Sequence, residues 1–236
     1  MDLANVAGSG PDGVIEQRDI AAGAADSDSL LQGVRRAMAQ RMAQADARVV
    51  RASLTGEADI SHWPPDTRII LRLIRAIGLA CQAQPLLNAR FDDDRAQLAL
   101  QEQVNLGIAM ETADGLFVPV LTDVTARQPA DLERELAALK AGVMDRSIDA
   151  AALRGQTITL SNFGAFGGLF AEMVVVPPQV AIVGAGRAFQ RLVMEGERPV
   201  EHRFLPLTIT FDHRVITGAE TGSFLRALIE DLERFD

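Results

Sequence analysis

The strongest constraint on the fold is a strand pattern that leads directly into a helical pattern near the end of the chain. Apolar Leu207, Ile209 and Phe211 alternate with threonines, as in a strand with one buried face. A turn marked by Gly218 follows, and apolar residues then recur at helical spacing over residues 219–233. The sequence therefore predicts a strand, a turn and a helix that packs on the sheet.

Helical and strand patterns interleave through the rest of the chain. Four helices are predicted. The first begins at about residue 29, and the second follows Pro65 with Asp66 or Thr67 as its N-cap. The third has an apolar stripe from Leu132 to Val143, and the fourth covers residues 219–233. Strands are predicted over residues 49–60, 98–100, 104–110, 116–121, 157–160, 169–176, 180–183, 191–195 and 205–211. Because no regular β-α-β repeat is present, these elements predict an α/β (α+β) fold with a mixed sheet flanked by helices.

Composition excludes several classes of function. The chain carries 32 acidic and 23 basic residues, a net charge of −9, which is the wrong sign for a protein that binds nucleic-acid phosphates. No apolar stretch reaches the length of a bilayer span and no secretory signal is evident, so we expect no membrane association and a cytoplasmic location. The single cysteine, Cys81, is predicted to be a core residue, and no disulfide or metal site is expected.

His213 is the first candidate for a catalytic residue. It follows the strand pattern that ends at Phe211, so it is expected at a strand end. An imidazole titrates near neutrality and can accept a proton from a thiol. By its spacing alone, a single histidine at a strand end favours a hydrogen-bonded structural role over a catalytic one.

Several segments together resemble the motifs of one enzyme family. Residues 212–219 read DHRVITGA, which resembles the active-site signature of the dihydrolipoamide acyltransferases and of the related chloramphenicol acetyltransferases. Residues 157–164 (TITLSNFG), 176–184 (VPPQVAIVG), 114–120 (DGLFVPV) and 85–89 (PLLNA) resemble further motifs of that family, and 57–59 (EAD) a weaker one. The resemblance extends from about Leu30 to Glu233.

The resemblance implies a role for each residue of the main motif. His213 would be the general base on the thiol of coenzyme A or dihydrolipoamide, and Ser161 would donate a hydrogen bond to the oxyanion of the tetrahedral intermediate. Asp212 would pair with a neighbouring arginine, either Arg214 or Arg187, and hold the shape of the loop.

Thr217 departs from the family pattern. It stands where the family has Asp or Asn, and its hydroxyl is shorter than either side chain. We therefore expect slowed chemistry here, and a drifted loop residue is the alternative interpretation.

The resemblance also implies a chloramphenicol-acetyltransferase-like fold that forms homotrimers, with the active site between subunits. Ser161 and His213 would then come from different chains. Arg35, Arg36 and Arg41 are candidates for binding the phosphates of coenzyme A, although a solvated helix face explains them equally well. The glycine-rich segment that begins at Gly164 would let the backbone approach the pantetheine arm or simply form turns.

The chain is expected to comprise a flexible leader over residues 1–28 and an acyltransferase catalytic domain over 29–236. Residues 6–15 resemble the end of a peripheral-subunit-binding domain, and a glycine-rich leader is the alternative. The family's apolar C-terminal extension, which docks trimers into larger cores, is not evident after Glu233, so we expect trimers without a cage. The lipoyl group would be carried on a separate domain or protein.

The function implied is transfer of an acyl group between coenzyme A and dihydrolipoamide, as the core component of a 2-oxo-acid dehydrogenase-type complex. Two alternatives stay open. One is a catalytically impaired trimeric scaffold, which Thr217 favours, and the other is an acyltransferase that acts on a free small-molecule acceptor. The sequence does not identify the acyl group.

Overall fold

The computed structural model of the chain describes residues 9–11, 14–17, 33–113 and 115–234. The chain divides into two units, Met1–Ala37 and Met38–Asp236. In the first unit the backbone N–H of Gly10 donates to the carbonyl of Val14 at 3.0 Å, which closes a turn. Most of the predicted leader, including half of the segment 6–15, lies outside the described residues.

Three short 3₁₀ helices (Pro85–Asn88, Ala150–Leu153 and Gly164–Phe166) accompany four α-helices and eleven strands in the described residues. In chain order these are α1 (Gly33–Arg48), β1 (Arg51–Asp59), α2 (Ile69–Ala83), β2 (Ala89–Asp92), β3 (Gln97–Leu100), β4 (Leu106–Ile108), β5 (Met110–Thr112), β6 (Gly115–Phe117), β7 (Val120–Leu121), α3 (Pro129–Met144), β8 (Ile158–Asn162), β9 (Ala181–Ala185), β10 (Phe189–Glu195), β11 (Arg198–Asp212) and α4 (Gly218–Leu232). None of these helices has the length and apolarity that crossing a membrane requires.

The main sheet has seven strands around the long strand β11. Its order is β1-β11-β9-β8-β4-β7, and β10 pairs with the first half of β11 as a hairpin. The β4/β8 and β8/β9 pairs are parallel and the others are antiparallel. The predicted mixed sheet flanked by helices is therefore confirmed. The pairs β2/β3 and β5/β6 form two small separate sheets.

Two local predictions are wrong. Residues 169–176, predicted as a strand, are extended chain without sheet partners. Their apolar pattern instead buries Met173 and Val175, and the Met173 side chain occupies the space beside Gly184, where a Cβ would approach it to 2.7 Å. The N-cap of α2 is Arg68, which makes no side-chain capping hydrogen bond, whereas Thr67 lies in the preceding turn, where its N–H donates to the carbonyl of Pro64.

Helices α2 and α4 form the core with one face of the sheet. Leu73, Ile77 and Phe224 are fully buried there, and Cys81 is buried as predicted, which raises the pKa of its thiol. Gly56 in β1 permits the close approach of α4, because a Cβ there would lie 3.0 Å from the side chain of Ile229. The helix and the sheet that carry the site are thus packed directly together.

The carboxyl end of α4 is held by side-chain donors. The last carbonyls of a helix have no partner within it. Here the Trp63 indole N–H donates to the carbonyl of Leu232 at 2.9 Å, and the Arg72 guanidinium donates to the carbonyls of Asp231 and Arg234 at 3.2 Å each. The Arg72 guanidinium also lies over the Trp63 ring, 5.3 Å from its centre. These contacts fix the end of α4 to the loop that follows β1, through Trp63, and to α2, through Arg72.

His202 joins the β10–β11 hairpin to the end of β1. Its Nδ1 lies 2.5 Å from Asp59 and its Nε2 lies 3.1 Å from Glu195. The hydrogen bond to Asp59 raises the pKa of His202, with a smaller contribution from Glu195. Although burial acts in the opposite direction, hydrogen bonds from Ser61 and His202 lower the pKa of Asp59.

The stabilising effect of His202 is expected to decrease with rising pH. Because its pKa is raised on folding, this effect is fully present below about pH 6.5 and is lost as the pH rises through the folded pKa. Because the pKa of Asp59 is lowered on folding, its contribution to the free energy of unfolding is present above about pH 3.9 and is lost at lower pH. The melting temperature of the wild type should therefore exceed that of His202→Gln by more at about pH 6 than at about pH 9. An equal difference at both values would contradict the assignment.

Candidate active site

His213 continues the sheet beyond the end of β11. Its backbone N–H donates to the carbonyl of Val50 at 2.7 Å, and its ring contacts Phe211 edge-on at 5.4 Å between centres. The Nδ1 atom lies 2.9 Å from the carbonyl oxygen of Ile216. A carbonyl can only accept, so Nδ1 carries the proton and Nε2 is the nitrogen that can act as a base.

Asp212 and Arg214 form a close ion pair beside His213. The Arg214 Nε lies 3.0 and 3.1 Å from the two carboxylate oxygens of Asp212, and Nη2 lies 2.7 Å from one of them. The Asp212 side chain is only 3% exposed. Arg214 is thus the partner of Asp212 in this structure, and Arg187 is not.

Arg214 also reaches across to the β2–β3 sheet. Its Nη1 lies 2.6 Å from Asp93, and its guanidinium lies over the Phe91 ring at 5.0 Å. The hydrogen bond with Asp212 raises the pKa of Arg214 further. Burial of Asp93 acts in the opposite direction, but hydrogen bonds from Arg48 and Arg214 lower the pKa of its carboxyl group. The loop around His213 is therefore held by a row of ion pairs that runs from Asp212 through Arg214 and Asp93 to Arg48.

Thr217 is the N-cap of helix α4. Its backbone N–H and its hydroxyl both donate to Oε2 of Glu220, at 2.7 and 2.8 Å, and its hydroxyl accepts from the N–H of Glu220 at 3.4 Å. This reciprocal arrangement is a capping box. The hydrogen of the Thr217 hydroxyl is thus directed to Glu220.

Ser161 lies near the end of β8, far from His213 of the same chain. In the sheet Ser161 stands opposite Gly184, and Gly184 stands opposite Thr208, five residues before His213. Two strand spacings and five residues of extended chain place the Cα atoms roughly 20 Å apart. One chain therefore does not bring this serine and this histidine together.

The glycine-rich segments near Ser161 pack against each other. A Cβ on Gly164 would lie 2.7 Å from the carbonyl oxygen of Gly186, and a Cβ on Gly186 would lie 2.1 Å from that of Leu169. The space beside these glycines is filled by the protein's own backbone, which accounts for them without a ligand. Arg187 follows directly, and its N–H donates to the carbonyl of Gly168 at 2.8 Å. This places Arg187 at the Ser161 end of the sheet.

The other arginines singled out from the sequence lie on helix α1. Arg35, Arg36 and Arg41 have exposed side chains. Their exposure is that of a solvated helix face.

Sequence reasoning missed two residues that the structure brings to the site. Glu220 had a visible signal, because a threonine followed three positions later by a glutamate at the start of a helix is the pattern of a capping box. Asp93 had none, since it lies 121 positions from its partner Arg214.

The overall fold resembles solved acyltransferase cores. A probable dihydrolipoamide acetyltransferase from Listeria monocytogenes superimposes with a TM-score of 0.82 at 23% identity, over 89% of this chain and 95% of that one. The dihydrolipoamide acetyltransferase of Azotobacter vinelandii gives 0.80 at 25% identity, over 86% and 92%. A chloramphenicol acetyltransferase gives 0.52 at 14% identity, over 82% and 94%. The fold class is therefore that of the chloramphenicol-acetyltransferase-like enzymes.

Sequence comparison identifies the family. Residues 66–236 match the 2-oxoacid dehydrogenases acyltransferase (catalytic domain), and the chain belongs to this family. The lipoamide acyltransferase component of the branched-chain alpha-keto acid dehydrogenase complex of Pseudomonas aeruginosa is 32% identical over 83% of this chain and 49% of that protein. The Pseudomonas putida counterpart is 32% identical over 99% and 63%. The chain thus spans about half the length of these relatives.

Breaking the buried ion pair beside His213 should destabilise the protein strongly. Arg214→Ala leaves the buried carboxylate of Asp212 without its partner and should lower the free energy of unfolding by about 3 kcal/mol. Arg134→Ala removes the exposed partner of Asp131 and should cost less than about 1 kcal/mol. Urea unfolding at one fixed protein concentration, followed by the fluorescence of the single tryptophan, Trp63, measures both. Equal costs would contradict the assignment.

Proposed function

We propose that this chain transfers an acyl group between coenzyme A and dihydrolipoamide, as the catalytic core of a 2-oxo-acid dehydrogenase-type complex. One observation carries the proposal. In the Azotobacter vinelandii enzyme, a serine, a histidine 52 positions later and an asparagine four positions after that histidine have been investigated for their role in the catalytic mechanism. Here His213 follows Ser161 by 52 positions and Thr217 follows His213 by four.

The proposed reaction uses His213 as a general base. Its Nε2 removes the proton from the acceptor thiol while Nδ1 stays bonded to the carbonyl of Ile216. The thiolate sulfur attacks the carbonyl carbon of the thioester, and the Ser161 hydroxyl donates a hydrogen bond to the resulting oxyanion. Collapse of the intermediate breaks the original carbon–sulfur bond, and the leaving thiolate takes the proton back from His213. Atoms and charges balance without a redox step.

The proposed site is shared between subunits. Ser161 and His213 of one chain are roughly 20 Å apart by the register of β8, β9 and β11, so a complete site needs a second copy. A contact in which one copy supplies the serine end and the next supplies the histidine end is head-to-tail, and such contacts form a ring when the rotation between neighbouring copies closes. This supports the homotrimer expected from the resemblance.

For coenzyme A we propose that Arg187 binds a phosphate group. It is an exposed cation at the Ser161 end of the sheet, and no carboxylate of the described residues lies within ion-pair distance of it. The backbone around Gly164 would line the path of the pantetheine arm, and Arg35, Arg36 and Arg41 remain candidates for further phosphate contacts. The acyl acceptor would be a lipoyl group on a separate domain or protein, and residues 29–236 would form the catalytic domain.

Acyl transfer should depend on both site residues. With acetyl-, propionyl- or isobutyryl-CoA as donor and dihydrolipoamide as acceptor, His213→Ala should lose about 10²–10⁴-fold in kcat and Ser161→Ala about 10²–10³-fold. The matched control Ser147→Ala changes an exposed serine and should keep the wild-type rate. Because one thioester replaces another, the rate is measured by chromatographic separation of the acyl-CoA consumed and the free coenzyme A released. Inactivity of the folded wild type with every donor would favour a catalytically impaired trimeric scaffold. Activity only with a free small molecule as acceptor would favour an acyltransferase that acts on such acceptors.

Mixed trimers should recover activity that neither single variant has. If Ser161→Ala and His213→Ala chains are unfolded together and refolded, roughly a quarter of the subunit contacts combine the intact serine of one chain with the intact histidine of the next. The mixture should therefore reach about a quarter of the wild-type rate. Refolding each variant alone is the control. A mixture as inactive as its components would argue against a shared site.

A further inference from the structure

The peptide group between Ile216 and Thr217 is hydrogen-bonded at both edges. Its carbonyl oxygen accepts from Nδ1–H of His213 at 2.9 Å, and its N–H donates to Oε2 of Glu220 at 2.7 Å. The imidazole and the carboxylate are thus connected through a single planar peptide unit. Each of these three groups makes its bond within the range of a strong hydrogen bond.

Glu220 is held firmly in this position. It lies in the first turn of α4, where the partial positive charge of the helix favours an anion. The same Oε2 atom that accepts from the backbone N–H of Thr217 also accepts from its hydroxyl at 2.8 Å. The carboxylate is therefore fixed to Thr217 by two donors, one on the backbone and one on the side chain.

This geometry affects which nitrogen of His213 carries the proton. A carboxylate that accepts from a peptide N–H polarises the peptide, so that its carbonyl oxygen becomes a stronger acceptor. A stronger acceptor at Ile216 favours the tautomer with a proton on Nδ1 and leaves Nε2 free to act as a base. In serine proteases a carboxylate achieves the same result by bonding directly to the histidine.

We propose that Glu220 is the positioning residue for His213, and that it orients the imidazole and fixes its tautomer through the Ile216–Thr217 peptide group. The assignment of His213 as the base rests on the proposed function, whereas the effect on its tautomer does not. By its spacing from the histidine, the asparagine of the Azotobacter vinelandii enzyme corresponds to Thr217 here. The carboxylate that we assign to positioning His213 lies about one helical turn further along the chain, at Glu220.

A role in helix capping alone predicts a different pattern of effects. Capping depends on the Thr217 side chain as well as on Glu220, so Thr217→Ala should lower the melting temperature as Glu220→Ala does. Positioning of His213 depends on the backbone N–H of Thr217, which Thr217→Ala leaves in place. The two roles are therefore separable by a measurement on the histidine itself.

The direct test is nitrogen NMR of the full chain labelled with ¹⁵N-histidine, without any substrate. The chain has three histidines, and the His213 signal is assigned by its loss in His213→Ala. The wild type and Thr217→Ala should show a protonated Nδ1, and Glu220→Ala should show a mixture of tautomers. Glu220→Gln should restore the wild-type signal, because the amide oxygen still accepts from the peptide N–H. Glu230→Ala, an exposed glutamate on the same helix, is the matched control.

A second variant covers the case in which Glu220→Ala does not fold. Glu220→Asp keeps the negative charge at the start of α4 but is one methylene too short to make the same contact, so it should fold and still give mixed tautomers. An unchanged Nδ1–H signal in Glu220→Asp and Glu220→Ala would overturn the proposal.

Kinetics then connect the tautomer to the reaction. Glu220→Ala should lower kcat roughly tenfold with KM unchanged, well below the about 10⁴-fold loss when a carboxylate bonded directly to a catalytic histidine is neutralised. Glu220→Gln should recover most of the rate. If the wild type transfers no acyl group while Glu220→Ala still changes the tautomer, the base role of His213 fails and the positioning role of Glu220 stands.

Discussion

Strand β11 imposes the constraint on which the rest of the structure depends. Its last nine residues are buried, and a buried backbone amide or carbonyl needs a hydrogen-bond partner. Strand β1 supplies partners along one edge and β9 along the other, while the β10 hairpin pairs with the exposed first half. The ladder continues past the strand, because the N–H of His213 donates to the carbonyl of Val50. The position of the histidine is therefore set by the register of the central strands.

The electrostatics of the loop are local and do not follow the net charge. The chain as a whole is acidic, yet Arg214 and Arg48 surround the carboxylates next to His213. Burial of Asp212 makes its pairing with Arg214 necessary, and Phe91 supports the guanidinium from its other side. At the Ser161 end of the sheet, by contrast, Arg187 is exposed, and no carboxylate of the described residues pairs with it. Under the proposed function, an anionic substrate meets this cation near Ser161, at the end of the sheet opposite to the His213 loop of the same chain.

The sequence predicted local patterns well and contacts between distant segments poorly. The strand that ends before His213, the turn into α4 and the burial of Cys81 follow from periodicity within a few residues. The separation of Ser161 from His213 depends on the register of three strands, which no pattern in one strand encodes. Within residues 169–176, Met173 and Val175 are buried and the Met173 side chain packs beside Gly184, although the backbone joins no strand. An apolar pattern therefore predicts which side chains are buried, but it does not predict whether the backbone pairs with another strand.

Thr217, in the segment 212–219, has two structural roles: it caps helix α4, and its hydroxyl binds Glu220. Asn, Asp and Thr are all effective N-caps, so any of them at position 217 starts helix α4. They differ in the polar group that they present beyond the cap, and the threonine hydroxyl gives its hydrogen to Glu220. A carboxylate oxygen consequently lies 2.8 Å from the side-chain oxygen of Thr217 and 2.7 Å from its backbone nitrogen. With threonine at position 217, the polar group beside the His213 loop is the Glu220 carboxylate, and the first turn of α4 supports that loop through the Ile216–Thr217 peptide group.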